Sequence, residues 1–526
     1  MVAIGGCAAG AAVLRFPFAF TGLVPDEGGY AYVAQQWARG ARLYDTAWAD
    51  RPQGLLVAYR VLLSIGAEPW TIRLGAVVCG VAITVLLGVI GWQLRGPVTG
   101  IAAAGIYAVV GVGPRITGFT FNGELVAALP AAAAIAAALA WRSSTRVTWL
   151  VVAGALASTA ILVKQSSIEG LAVTTAIVVM SSTAWASRRR SLAVLFGAAA
   201  VPLAGSMLHG WSVGWSNYWS AVISARMGDR LDLASLVRRP GRFFATADEA
   251  WYDLGPLALL AIAGLILARR EGDPVAIPVY WLIAAFVGFN LGALYWRHYY
   301  VQLVPPLALL GGIAVTYVPS RFYKRVAVGV VTLPVAVFLA TLALLPTEHR
   351  ERRIPHYRAF EYNRQIAAHL HARFAPGDSI YVLVSQADLY FLVDRPVRYP
   401  YLWGHPVVEI PGALQQLRDL LGSARRPEWL VVYTSPREVD PSGGLGRIVR
   451  EHYERDAEMR SSRATIYQAR DVGTSRVPHV VHDPPRGTGA ALFGDEAANA
   501  WSRRCLAMPR VGSCCTAQLL PPGSPK

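Results

Sequence analysis

The 526-residue chain is 54% hydrophobic and only 16% charged, with a mean hydropathy of +0.38. A soluble domain carries about 25% charged residues, so an ordinary water-soluble enzyme is excluded and a bilayer is the expected solvent. The net charge of +16 is almost entirely arginine; without a basic-aromatic RNA or DNA motif, its natural counter-charge is anionic lipid head groups and not nucleic acid.

Lipid offers the backbone no hydrogen-bond partner, so each crossing needs a helix of about 20 mostly apolar residues. In chain order, the segments 2–24, 70–94, 97–113, 123–141, 147–163, 168–186, 191–212, 254–268, 275–295, 299–317 and 326–346 meet or approach this length. They predict an all-α polytopic membrane protein with about eleven transmembrane helices. Arg15 interrupts the first segment and is expected to snorkel to the outer interface. No charged region precedes that segment, which argues against a cleaved signal peptide and leaves a start upstream of Met1 open. The run 53–66 is short and contains Arg60, and reads as an interfacial helix or a broken entry to the next span.

Arg95, Arg142 with Arg146, Arg188–Arg190, Arg269–Arg270, and Arg321 with Lys324 and Arg325 fall in alternate short loops. The positive-inside rule puts all of these on the cytoplasmic side. The N-terminus is then cytoplasmic, and the loop 25–69, the loop 213–253 and everything after 346 lie outside, in a multi-pass plasma-membrane protein. Residues 1–346 form the expected membrane domain. Residues 347–470 turn polar: 379–384, 429–433 and 464–468 read as strands and 358–373 and 408–423 as helices, predicting a small extracytoplasmic α/β domain. Residues 471–526, rich in Pro, Gly and Ser, read as a disordered tail. Cys7 and Cys79 sit in apolar spans, and Cys505, Cys514 and Cys515 lie in the tail with neither a disulfide framework nor a zinc pattern.

Chemistry concentrates at the outer ends of the spans. The first outer loop opens Pro25-Asp-Glu-Gly-Gly-Tyr30 and continues to Asp50-Arg-Pro-Gln-Gly54. Asp26 follows the first span, where a carboxylate is solvated and available as a base; it also suits the N-cap of a helix beginning at Glu27. Asp50 and Arg51 form either an interfacial pair or an anion contact, since Arg grips phosphate with two parallel hydrogen bonds. Farther along, Asn122-Gly-Glu124 opens a span, Lys164-Gln165 ends the next one, and Arg297-His298-Tyr-Tyr precedes Pro305-Pro306. Ionisable groups at span ends suggest function, with snorkelling or capping as the alternative for each. The arginines 226, 230, 238, 239 and 242 in the loop 213–253 make either a solvated basic face or a phosphate contact. Trp211, Trp215, Tyr218 and Trp219 resemble an interfacial aromatic belt.

The first-loop pattern resembles that of the GT-C membrane glycosyltransferases, in the branch that includes protein mannosyltransferases and lipid A aminoarabinose transferases. Asp26, Glu27, Tyr30, Ala34, Asp45, Trp48, Asp50, Pro52 and Gly54 match; Arg51 stands where Lys is usual, and Gln53 where a second Pro is usual. The resemblance spans roughly residues 12–317. It implies a GT-C fold, a polyprenyl-phosphate-linked sugar donor, a cell-envelope acceptor (glycan, lipid or protein), and an inverting hexosyl or pentosyl transfer. Asp26 and Glu27 are the implied catalytic acids. Asp50, Arg51, Glu124, Lys164, Gln165, Arg297 and His298 are the implied substrate-binding residues. No metal-ligating motif or cofactor is implied, and a divalent metal is left open. The competing class is a polytopic transporter or lipid flippase without catalysis, but such proteins place ionisable and broken-helix features mid-membrane, often in paired halves.

Overall fold

The computed structural model describes residues 1–182, 184–225, 233–272, 275–292, 294–354, 359–383, 386–459 and 464–470; the proposed tail at 471–526, with its three cysteines, lies outside them. The first nine helices are α1 (Val2–Arg15), α2 (Pro25–Ala38), α3 (Gln53–Leu63), α4 (Pro69–Arg95), α5 (Pro97–Val110), α6 (Gly123–Ser144), α7 (Val147–Val163), α8 (Glu169–Ser181) and α9 (Trp185–Val213). Proline starts several of them at the first helical position, where a missing N–H costs nothing and φ is already helical: Pro25, Pro69 and Pro97. Asn122 caps α6, its side chain accepting from the Leu125 N–H at 2.9 Å.

This is a multi-pass membrane protein. Among the described residues, seven helices are long and apolar enough to cross a bilayer, at Val2–Phe20, Pro69–Arg95, Gly123–Ser144, Trp185–Val213, Phe243–Arg270, Arg297–Thr316 and Arg321–Leu344. Four shorter apolar helices, α5, α7, α8 and Ala276–Leu291, occupy the remaining predicted segments. The run at 53–66 is the separate short helix α3, with Leu55, Leu56 and Tyr59 buried. Close backbone approach holds the bundle. A Cβ on Gly154 in α7 would sit 2.2 Å from the Leu195 carbonyl oxygen of α9, and one on Gly100 in α5 would sit 2.4 Å from the Gly88 carbonyl oxygen of α4. Small residues at such crossings let helices pack by van der Waals contact where lipid removes the hydrophobic drive.

Two expectations are corrected. Arg15 does not snorkel: it is 1% exposed, its guanidinium lies 5.7 Å from the centre of the Tyr107 ring, and it donates to the Ala108 carbonyl at 3.5 Å. The absence of a Cβ at Gly80 opens the space for it, since one there would meet Arg15 Nε at 2.1 Å. The loop 213–253 is also largely helical, because one helix runs from Leu233 to Arg270. Its expected arginine cluster is not described: Arg226 and Arg230 lie outside the described residues, as do the side chains of Arg238, Arg239 and Arg242. Trp211, Trp215 and Trp219 are exposed and follow one another, with ring centroids 6.5 and 5.7 Å apart.

Downstream of 346, four strands form one sheet: β1 (Ile380–Leu383), β2 (Trp429–Val432), β3 (Tyr453–Arg455) and β4 (Thr465–Ala469), in the order β1-β2-β4-β3. β1 and β2 pair in parallel; β4 runs antiparallel to both of its neighbours. Every residue of β1 and β2 is buried, which is why both read as continuous apolar runs without alternation. β3 escapes the sequence reading because Tyr-Glu-Arg carries no apolar run. The helix Asp388–Val393 packs on α2, so this α/β part reaches the first-loop acids.

Candidate functional site

Helix α2 begins at Pro25, with Val24 at the N-cap position, so Asp26 is already inside the first turn. The cap expected of Asp26 is supplied by Glu27, whose Oε2 accepts from the Val24 N–H at 3.0 Å. Asp26 is left 36% exposed beside a helix N-terminus, a favourable place for a carboxylate. Trp403 Nε1 donates to its Oδ1 at 3.1 Å. Its Oδ2 faces His298 Nε2 at 3.8 Å, too far for a hydrogen bond but within ion-pair range of a protonated ring.

Glu27 is built differently. It is fully buried, Arg73 Nη2 lies 3.0 Å from its Oε2, and Phe121 N–H donates to its Oε1 at 2.6 Å. Arg73 also donates to the Gly22 carbonyl at 2.5 Å and to the Phe119 carbonyl at 3.3 Å. Burial pushes the Glu27 carboxyl up; Arg73 and the two N–H groups oppose that shift. With both oxygens occupied, Glu27 ties the start of α2 to α4 and to the turn before α6, and has no surface for a substrate.

Behind Asp26 lies a buried charge cluster. His298 Nε2 is 3.9 Å from Glu124 Oε1, which is 2.7 Å from Lys164 Nζ. Lys164 is 1% exposed, 4.4 Å from the centre of the Tyr299 ring and 3.5 Å from Gln302 Oε1. Gln302 in turn donates to Glu169 Oε2 at 2.8 Å. Arg51, 5% exposed, lies 6.0 Å from the centre of the Tyr30 ring, and its Nε has no hydrogen-bond partner. Asp50 accepts from the Tyr30 hydroxyl at 3.0 Å, and Gln165 Nε2 donates to both the Asp50 and Val222 carbonyls at 2.9 Å.

The fold thus brings Asp26, Asp50, Arg51, Glu124, Lys164, Gln165 and His298 together from five stretches of chain. Arg297 is not among them: its guanidinium pairs with Glu249 of the helix Leu233–Arg270. Gln53 instead joins a buried polar network. Its Nε2 donates to the Ser206 carbonyl at 3.1 Å and lies 3.0 Å from His209 Nδ1, while the Ser206 hydroxyl donates to Gln53 Oε1 at 2.6 Å. Among the described residues, no group of three His, Cys, Asp or Glu side chains is disposed to hold a metal ion.

The sequence reading missed Arg73, Trp403 and Asp388. A Cβ on Gly28 would come within 2.3 Å of Asp388 Cα, and one on Gly29 within 2.4 Å of Trp403 Cζ2. That Gly-Gly pair in α2 and the aromatic run Tyr399–Trp403 in a polar region were the only signals. Asp388 is 2% exposed; Asn363 donates to its Oδ2 at 2.5 Å, and burial pushes its carboxyl up to about 7. Two cavities lie away from the cluster: about 410 Å³ beside Arg398 and Gln416, and about 290 Å³ in an apolar groove between Leu14 and Leu339. Arg51, Glu124 and Lys164 are buried within the charge cluster, whose chemistry makes it the candidate site.

This chain has the GT-C fold, the fold of the solved structures it is similar to. It is similar to the crystal structure of ArnT from Cupriavidus metallidurans bound to undecaprenyl phosphate, at 17% identity and a TM-score of 0.58 over 88% of this chain and 97% of that one. The apo state of the same protein gives 16% identity and 0.56 over 88% and 96%. At such identity the likeness establishes the fold. The oligosaccharyltransferase AglB from Archaeoglobus fulgidus overlaps more loosely, at 12% identity and a TM-score of 0.46 over 82% of this chain and 69% of that one. No family model and no curated protein matches the sequence.

Proposed function

We propose that this protein is an integral-membrane glycosyltransferase. It moves a sugar, hexose or pentose, from a polyprenyl-phosphate donor to a hydroxyl of a cell-envelope acceptor on the extracytoplasmic face, with inversion. The observation that carries this reading is the junction of one accessible carboxylate, Asp26, with two buried cations, Lys164 and Arg51, around His298 and Glu124. The ArnT crystal structure holds undecaprenyl phosphate, which supports a lipid phosphate as the donor's leaving group.

Asp26 Oδ2 takes the proton from the acceptor hydroxyl as that oxygen attacks the anomeric carbon. The bond from the anomeric carbon to the phosphate oxygen breaks on the opposite face, so one displacement inverts the centre. Negative charge grows on the departing polyprenyl phosphate. Arg51, with its unpartnered Nε, and Lys164 meet that charge in a water-poor setting, where preorganised cations are most effective. Glu124 fixes Lys164, and Glu27 with Arg73 fixes the helix that carries Asp26.

Alternating basic loops support a cytoplasmic N-terminus, about eleven crossings that include the four shorter helices, and an extracytoplasmic α/β domain within 347–470. The test is incubation of the purified protein with radiolabelled polyprenyl-phosphate sugars and a membrane extract. Label leaves the lipid for an acceptor with wild-type protein and not with Asp26→Asn. No transfer from any such donor refutes the reading.

A further inference from the structure

We infer that Trp403 is a positioning residue for Asp26: its indole N–H fixes Oδ1 and so aims Oδ2 at the incoming acceptor. The inference rests on the proposed role of Asp26 as base. The contact links residues 377 apart, and among the described residues no other hydrogen bond reaches either Asp26 oxygen. A carboxylate on a single χ2 axis otherwise presents either oxygen; a donor on one of them selects the other.

The indole is itself held in place. Its ring lies 5.1 Å from that of Tyr30, tilted by 44°, and the Tyr30 hydroxyl donates to Asp50 beside Arg51. One aromatic pair thereby joins the acid to the cation-bearing turn. Gly29 has no side chain where Trp403 Cζ2 approaches, and Gly28 admits the Asp388 backbone in the same way. Asp388 is fastened in turn by Asn363, whose Oδ1 accepts from the Tyr433 hydroxyl at 2.5 Å. A tryptophan that only docked the α/β part on α2 would need its ring but not its N–H. Here the N–H points at Asp26.

Two variants separate these roles. Trp403→Phe keeps a ring against Tyr30 and removes the donor. Turnover is expected to fall at least tenfold, with the donor KM within about twofold of wild type and an unchanged melting temperature. An independent arm uses ¹⁵N-tryptophan-labelled protein. The Trp403 indole N–H resonance, assigned by its absence in Trp403→Phe, should move upfield in Asp26→Asn, because a neutral amide is a weaker acceptor than a carboxylate. Wild-type turnover in Trp403→Phe, or a resonance that Asp26→Asn leaves in place, overturns the inference. If wild-type protein transfers no sugar, the proposed function fails, while the resonance still decides whether Trp403 holds Asp26.

Discussion

Neighbouring carboxylates in α2 should fail in opposite ways when their charge is removed. Asp26→Asn keeps an oxygen for Trp403 and sits at a partly exposed position, 3.8 Å from a His298 ring that is charged only when protonated, so the fold should survive. It removes the proposed proton acceptor, and turnover should drop on the order of a hundredfold or more, the size of a general-base contribution. Glu27→Gln is nearly isosteric but fully buried. Its amide has one acceptor oxygen where Glu27 serves Val24 N–H, Phe121 N–H and Arg73. Arg73, 1% exposed, is left charged without its partner. Breaking a buried pair in this way costs about 3–5 kcal/mol, which should appear as a clear fall in apparent melting temperature in detergent. The assay measures turnover per folded protein alongside thermal unfolding for both variants. If Glu27→Gln melts like wild type yet loses transfer as Asp26→Asn does, Glu27 contacts substrate and its assignment as a structural tie is wrong.

A reporter fused near residue 400 that works only outside the cytoplasm should be active; a signal only from a cytoplasmic reporter there overturns the orientation and the site's access to it. Gly29→Ala should displace the Trp403 ring, since the added Cβ would lie 2.4 Å from Cζ2, lowering turnover and melting temperature together. Arg51→Lys keeps the charge but not the planar donor fork, so turnover should fall several-fold with the donor KM less affected. The Asp388 carboxyl titrates near 7 in the folded protein against 3.8 as its ordinary value, so the folded state holds its proton more tightly. Stability should therefore fall as pH rises from about 4 to 7 and level off above that. Melting temperatures across this range should flatten in Asp388→Asn, with Glu27 the carboxylate whose charge also pushes the group up.

Much of the membrane architecture was legible because lipid imposes a one-dimensional rule: an apolar run of sufficient length becomes a helix whatever surrounds it. The eleven apolar segments all became helices, and Glu124, Lys164 and His298 could be suspected because an ionisable group at a span end stands out locally. What could not be read was partnership. Nothing near Arg73 announces that it will neutralise Glu27, and Arg297 sits next to His298 in sequence yet turns to Glu249. Arg15 looked like a residue reaching for water because neither the space beside Gly80 nor the Tyr107 ring is visible along the chain. Gln53, a departure from the expected proline, made sense only beside Ser206 and His209 of α9. Each miss is a long-range contact, which side-chain periodicity does not encode.

The bond between Asp26 and Trp403 also has a consequence for the timing of biogenesis. The acid is made 377 residues before its indole partner, ahead of the helices from Pro69–Arg95 to Arg321–Leu344. A nascent chain made as far as His298 carries Asp26, Arg51, Lys164 and His298 without the indole that holds the Asp26 carboxylate. The contact between Asp26 and Trp403 can form only when the part of the chain that follows the membrane helices folds back onto the loop between α1 and α4.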